Sequence, residues 1–191
     1  LAVVLALASA ANADVRPEVT RIVAQLDEAV EQDGRADARA IEYVELLTAM
    51  YPRCAPDERE VIAKQIGLAL RDPRKPPDKK GPECRLALAS AAALGSMGDL
   101  GAKELVSALS LRHFEKHGPL LEETIARLGR TQSKDAIRPL MDMARARDVY
   151  RVRGAARGLV HFAEADGATR KKLFEGLMKP MKSFADEMRS I

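Results

Sequence analysis

The sequence predicts an all-α protein built from stacked helix pairs, and three observations carry this prediction. Of the 191 residues, 47% are hydrophobic but only 4% are aromatic, so alanine and leucine supply most of the apolar surface. Both residues favour helices. Apolar residues recur with a period of about 3.6 residues over long segments, whereas no run alternates as a half-buried strand does. Finally, similar segments return every 32 to 34 residues.

Residues 1–13 are typical of the end of a secretory signal peptide. Residues 1–10 read LAVVLALASA, which is apolar and uncharged, and Ala11 and Ala13 are the small residues that signal peptidase prefers. The run is shorter than the roughly 20 apolar residues that span a membrane. We therefore expect an exported protein, periplasmic or secreted, with one mature domain of residues 14–191 and no transmembrane segment. The alternative for residues 1–13 is a buried N-terminal helix.

Three amphipathic helices are predicted before residue 71. The first begins near Pro17 and stops by Gly34, the second runs from about Ala36 to Met50, and the third opens at Pro56. Proline suits the first turn of a helix, and glycine suits the position just after its end. Each helix carries an apolar stripe that is expected to face the core. The predicted core residues are Val19, Ile22, Val23, Leu26 and Val30, then Ile41, Val44, Leu47 and Met50, then Val61, Ile62, Ile66 and Leu70.

Residues 72–83 read DPRKPPDKKGPE and separate this part of the chain from the next. Proline lacks the backbone donor that a helix interior needs, so we predict an exposed inserted loop here. Cys54 precedes the third helix, and Cys84 follows the loop. An oxidising compartment favours a bridge between two cysteines, but a whole helix separates these two. Both the bridged and the unbridged state are therefore open.

After this loop the sequence repeats, in units that begin near Pro82, Gly118 and Tyr150. In each unit, a helix rich in alanine or leucine reaches a short turn, and a second helix follows at once. The corresponding residues are Leu94-Gly95 and Leu128-Gly129 at a spacing of 34, and Ala102, Ala136 and Ala168 at spacings of 34 and 32. One helix pair cannot bury both its faces, so such units stack and share a continuous core.

The residues Ala-Leu-Gly-x-x-Gly-Asp at 93–99, followed by Ala102, Leu105 and Leu109, resemble a HEAT repeat of the short bacterial type found in phycobilisome-lyase-like proteins. Residues 136–140, Ala-Ile-Arg-Pro-Leu, are similar to the second helix of such a repeat. The resemblance covers roughly residues 82–178 and is weaker over 14–70, and the third unit has His161 where glycine is expected. It implies a right-handed α–α superhelix, a HEAT-like solenoid of about four helix pairs, whose second helices line a concave face. It implies no single activity.

Charge is distributed unevenly along the chain. Residues 14–70 carry 12 acidic and 7 basic residues, a net charge of −5, whereas residues 130–182 carry 13 basic and 6 acidic residues, a net charge of +7. A basic surface of this kind docks acidic proteins, polyanionic glycans or anionic membranes. The residues predicted to bind a partner are Arg138, Arg145, Arg151, Arg153 and Arg157. The alternative is a solvated surface on which these arginines pair with local carboxylates such as Asp142 and Asp148.

No motif in the sequence specifies a reaction. Residues 95–98, Gly-Ser-Met-Gly, lack the Lys and Ser/Thr of a phosphate-binding loop, and the absence of Trp leaves little for nucleic-acid bases to stack on. His113 and His117 stand four residues apart, but Phe114 occupies the place of Glu in the HExxH zinc motif. We therefore expect no catalysis, metal, cofactor or nucleic acid. Met141, Met143, Met178 and Met181 are interpreted as core residues or as the lining of an adaptable peptide groove.

These observations predict a non-catalytic protein-interaction scaffold in the cell envelope or the extracellular space. It would bind a protein partner, of acidic character, through the concave face and the basic C-terminal half. Two alternatives stay open: a HEAT-like enzyme resembling the lyases that attach bilins to phycobiliproteins, and a structural module of a longer protein.

Overall fold

The computed structural model describes residues 15–32, 34–73, 84–112 and 114–163, together with the single positions 167, 168, 170, 171, 173 and 175. The predicted signal-peptide remnant, residues 74–83 of the predicted loop, His113, Met178 and Met181 lie outside the described residues. Across the described ranges the protein consists of helices and short turns, without a strand. The predicted all-α class is therefore confirmed.

Eight α-helices have defined bounds in the described part of the chain. They are α1 (Pro17–Glu31), α2 (Asp37–Met50), α3 (Pro56–Arg71), α4 (Arg85–Leu94), α5 (Gly98–Leu109), α6 (Gly118–Arg130), α7 (Lys134–Ala144) and α8 (Val149–Leu159). Short 3₁₀ turns cover Tyr51–Arg53, Phe114–Lys116 and Val160–Phe162. The single described positions from 167 to 175 are also helical.

The three helices predicted before residue 71 are confirmed, with small shifts at their ends. α1 begins at Pro17 as expected but ends at Glu31, before the predicted stop at Gly34. The φ of Gly34 is +91°, in the left-handed region that glycine adopts at little cost. α2 begins one residue later than predicted, at Asp37, and α3 begins at Pro56.

Each helix packs on the helix two places away, and successive helices also pack on each other, except α2 and α3. The helices α1, α3, α5 and α7 contact one another in succession, and we call them the odd row. The helices α2, α4, α6 and α8 do the same, and we call them the even row. Short turns inside the units join α2 to α3, α4 to α5 and α6 to α7. Each even helix is thus followed closely by its odd partner.

One continuous apolar core joins all eight helices. On α1, Leu26 is fully buried as predicted, whereas Val23 and Val30 are half-buried and Ala29 is buried beside them. Alanine fills similar buried positions on the other helices. Because the distance between helix axes depends on the side chains at the contact, these small residues let the helices approach closely.

The repeated Leu-Gly pair marks equivalent joints between helices of the even row. A Cβ atom added to Gly95, just after α4, would lie 3.2 Å from the carbonyl oxygen of Arg127 in α6. A Cβ atom added to Gly129, near the end of α6, would lie 2.1 Å from the carbonyl oxygen of Gly158 in α8. Glycine therefore lets each helix touch the backbone of the next. In the third unit His161 takes this place and is exposed.

Candidate partner-binding surfaces

The five arginines predicted to bind a partner do not lie on one face. Arg138 is on α7, Arg145 directly follows α7, and the other three are on α8. Residues four apart share a helix face, so Arg153 and Arg157 project together. Arg151 lies two residues from Arg153 and therefore projects from the opposite side of α8. The structure thus divides the predicted cluster, and partner binding by these arginines stays a prediction.

Arg153 and Arg157 pair with two carboxylates of α6. The Nη2 atom of Arg157 lies 2.9 Å from Oε2 of Glu123, and its Nη1 atom lies 3.3 Å from Oε1 of Glu122. The Nε atom of Arg153 lies 3.5 Å from Oε2 of Glu122, and Arg127 pairs with Glu123 from within α6 at 2.6 Å. These five residues form the α6–α8 ion-pair cluster. Neither glutamate stands out in the sequence, because both lie about one repeat before the α8 arginines that they face.

The α6–α8 ion-pair cluster favours the ionised form of Glu123. Partial burial raises the pKa of Glu123, but hydrogen bonds from Arg127 and Arg157 outweigh it, so that the pKa falls below its ordinary value. The hydrogen bond to Glu123 raises the pKa of Arg157 in turn. The side chain of Arg157 is 53% exposed, and exposed ion pairs of this kind contribute little stability. The guanidinium groups of Arg153 and Arg157 therefore remain accessible at the surface.

The carboxylates that the sequence placed near the arginines do lie beside two of them. Oδ1 of Asp142 lies 3.8 Å from Nη1 of Arg145. Oδ1 of Asp148 accepts a hydrogen bond of 2.8 Å from the backbone N–H of Arg151. Asp148 is the N-cap of α8, where a carboxylate satisfies a free backbone donor. Its main role is therefore to start the helix.

Arg138 belongs to a row of cations that crosses the odd row of helices. Lys64 on α3, Lys103 on α5 and Arg138 on α7 are all exposed. Each of them directly follows two buried residues of its helix, Ile62-Ala63, Gly101-Ala102 and Ala136-Ile137. The three side chains thus follow the same burial pattern on neighbouring helices, although Arg138 lies 35 residues after Lys103, one more than the spacing of Ala102 and Ala136. We call them the cationic row. No ion pair involves any of them within the described part of the chain.

One side of α8 presents apolar side chains to solvent. The valine face comprises Val149, Val152 and Ala156 of α8 and Val160, the first residue of the 3₁₀ turn that follows directly, all on one side at a helical period. The exposed fractions of the three valines are 57%, 36% and 68% in chain order. The opposite side of α8 carries Gly154 and Gly158, which lie against the backbone of α6. The valine face therefore points away from the even row.

A partly buried ion pair that was not predicted joins Arg16, the N-cap of α1, to Glu58 of α3. The side chain of Glu58 is only 3% exposed and accepts hydrogen bonds from the N, Nε and Nη2 atoms of Arg16, at 3.0, 2.7 and 3.0 Å. It also accepts one from the backbone N–H of Ala55 at 2.9 Å. These bonds from Arg16 and Ala55 lower the pKa of Glu58 from 4.5 to about 2. We call this pair the Arg16–Glu58 clamp.

Cys54 is part of the same arrangement. Its Sγ atom accepts a hydrogen bond from Nη2 of Arg16 at 3.1 Å and donates one to the carbonyl oxygen of Met50 at 3.3 Å. Burial raises the pKa of the thiol, which keeps it protonated and unreactive. No disulfide joins Cys54 to Cys84 in this structure. The unbridged state, one of the two left open by the sequence, is the one observed.

Two open grooves lie near the Arg16–Glu58 clamp and away from the predicted arginines. The first, of about 520 Å³, is lined by residues that include Arg16, Arg21, Leu46, Met50 and Arg53. The second, of about 390 Å³, is lined by residues that include Tyr51, Asp57, Arg59, Glu60 and Asp99. None of the five predicted arginines lines either groove.

The structure describes only some of the remaining candidate residues. His117 directly precedes α6, but the other member of the predicted pair, His113, lies outside the described residues. Met141 is buried and Met143 packs half-buried against the core, as the core interpretation of these two predicts. Within the described ranges, no group of three or more His, Cys, Asp or Glu side chains is arranged to hold a metal ion. None of the helices described is both long and apolar enough to cross a membrane.

Comparison of the chain with protein-family models, with curated proteins and with solved structures gives no match. The functional inference therefore depends on the surfaces described above.

Proposed function

We propose that this chain is a HEAT-like, right-handed helical superhelix that acts as a non-catalytic scaffold for another protein. Two observations support the architecture. Each helix contacts the helix two places away, and all successive helices but α2 and α3 pack on each other, as in proteins whose repeats touch only their neighbours. The Leu-Gly pairs at 94–95 and 128–129 place glycine at equivalent joints between successive units. The location in the cell envelope or outside the cell rests on residues 1–13.

The cationic row is the observation that carries the binding function. Helices in contact lie about 8–10 Å apart, so Lys64, Lys103 and Arg138 repeat at about that interval on α3, α5 and α7. A polyproline II segment has three residues per turn and rises about 3.1 Å per residue, so every third side chain points the same way at about this interval. The surface therefore suits an extended, polyproline II segment of an acidic protein with a carboxylate at every third residue.

This function is tested with a dye-labelled synthetic peptide that carries Glu at every third position and glycine or serine between. A second peptide of the same composition groups its glutamates at one end. We expect the spaced peptide to bind more tightly, because only its carboxylates match the row. Reversing all three cations, as Lys64→Glu, Lys103→Glu and Arg138→Glu, weakens its binding by about tenfold or more, equivalent to about 1.4 kcal/mol.

The matched control reverses three exposed arginines on the even row, as Arg39→Glu, Arg85→Glu and Arg130→Glu on α2, α4 and α6. It changes the net charge of the chain by the same amount. We expect this variant to keep most of its affinity for the spaced peptide in a fluorescence anisotropy titration. An equal loss in both variants, or equal affinity for both peptides, means that net charge alone attracts the peptide and contradicts the proposed binding surface.

A further inference from the structure

The valine face marks the position at which the even row of helices would continue. Each even helix packs one side against the preceding even helix, and α8 does so through Gly154 and Gly158 against α6. The opposite side of α4 and of α6 meets the next helix of the row. On α8 that opposite side is the valine face, which stands open to solvent. A helix laid there would extend the existing packing of the even row.

The chemistry of α8 specifies what kind of helix fits. α8 carries three arginines and no acidic residue. Arg153 and Arg157 lie along one edge of the valine face, with side chains 64% and 53% exposed. In the α6–α8 ion-pair cluster, three guanidinium groups face two carboxylates, so one positive charge is in excess. An incoming helix therefore meets an apolar stripe with a cationic edge.

We propose that the valine face docks an amphipathic α-helix of a partner protein, with an apolar stripe and acidic residues beside that stripe. The proposal rests on the proposed function in one respect, that the chain binds other proteins. It uses a different surface from the cationic row and a helical rather than an extended segment. The apolar contact supplies burial, and the contact with Arg153 and Arg157 selects acidic over basic helices.

The first test measures binding of two synthetic helical peptides by fluorescence anisotropy. Both carry leucines at the spacing of the valine face; one carries glutamates beside them and the other carries lysines. We expect the full chain to bind the glutamate peptide at least about tenfold more tightly, a difference of about 1.4 kcal/mol. The double variant Val149→Asp, Val160→Asp loses this binding by a similar factor. The control Leu46→Asp, Leu68→Asp changes two leucines that are 49% and 46% exposed on α2 and α3, and it retains the affinity.

The results that overturn the proposal are distinct from those that overturn the proposed function. Equal binding of the two peptides, or equal losses in the two double variants, removes the valine face as a specific site. The variant with all three cations of the cationic row reversed is measured with the same helical peptides, and its affinity is expected to stay unchanged. If this triple variant loses affinity for the spaced extended peptide but keeps its affinity for the helical glutamate peptide, the two surfaces bind independently.

A second measurement decides between possible occupants of the valine face. A photo-crosslinking amino acid replaces Val160 in the full chain, and products are mapped by mass spectrometry with and without the glutamate peptide. Crosslinks to the peptide support the proposal. Crosslinks of the chain without peptide to its own residues 176–191, or to a second copy as a covalent dimer, show that another occupant already covers the face and contradict the proposal.

Discussion

The first and last helices with defined bounds differ in the side chains that they expose. α1, all of whose residues are described, exposes no large apolar side chain. α8 and the 3₁₀ turn directly after it expose Val149, Val152 and Val160 along one side. Because burial of apolar surface favours association, α1 presents a surface suited to water, whereas the valine face is suited to a partner.

α1 and α8 also differ in the contacts that hold them to the neighbouring helices. α1 is held to α3 by the Arg16–Glu58 clamp, in which the carboxylate is almost fully buried. α8 is held to α6 by glycine contacts and by the α6–α8 ion-pair cluster, in which Arg153 and Arg157 are more than half exposed. An almost fully buried carboxylate thus joins α1 to α3, whereas close backbone contact and exposed ion pairs join α8 to α6. Three variants test this contrast, from the largest expected effect to the smallest.

Gly129→Ala is expected to produce the largest loss of stability. The new Cβ atom would lie 2.1 Å from the carbonyl oxygen of Gly158, and backbone atoms on both sides cannot move aside unless α6 and α8 separate. We expect the free energy of unfolding to fall by about 3 kcal/mol, the upper part of the range for overpacked cores. Urea denaturation measures this change. Gly167→Ala is the control, because nothing lies within 4 Å of its added Cβ; a similar loss there would show that the α6–α8 contact is not the cause.

Glu58→Gln is expected to produce a smaller loss that depends on pH. The folded-state pKa of Glu58 is about 2, below the ordinary 4.5, so its ionised form contributes stability that is fully present above about pH 4.5. This contribution is lost as the pH falls through 2. The wild-type chain should therefore be more stable than the variant at neutral pH, with the difference shrinking between pH 4.5 and pH 2. Thermal unfolding monitored by circular dichroism over this range measures the difference.

The control for the pH experiment is Glu60→Gln, which removes an exposed carboxylate from the same helix. We expect this variant to follow the wild-type curve. A difference between wild type and Glu58→Gln that does not change with pH would mean that the clamp acts through shape and not through charge.

Val160→Asp is expected to have the smallest effect on stability. Val160 is 68% exposed, and substitutions at exposed positions usually change the free energy of unfolding by less than about 0.5 kcal/mol. Urea denaturation should therefore give the same midpoint as the wild-type chain. A clear loss of stability would indicate that another part of the chain packs on the valine face, in agreement with an intramolecular crosslink from this position.

Much of the local structure could be predicted because it depends on neighbouring residues. Pro17 and Pro56 locate the starts of α1 and α3, and Leu26 is a core residue as its spacing indicates. Buried alanines such as Ala29 escaped prediction, because alanine is common on both faces of helices and carries a weak apolar signal. The arginine-rich segment was predicted as one cluster. The turn of α8 places Arg151 opposite Arg153 and Arg157, which counting basic residues along the chain does not reveal.

The sequence by itself determined the helical class, the starts of α1 and α3 and the repeated Leu-Gly pairs, since each depends on local residue types and spacing. Only the tertiary structure decided which charges meet. Glu58 pairs with Arg16 across 42 residues, and Arg157 pairs with Glu122 across 35. The tertiary structure also decided that the valine face points away from the core. The physical reason is that a helical period fixes which residues share a face, whereas the packing of neighbouring helices fixes what each face meets.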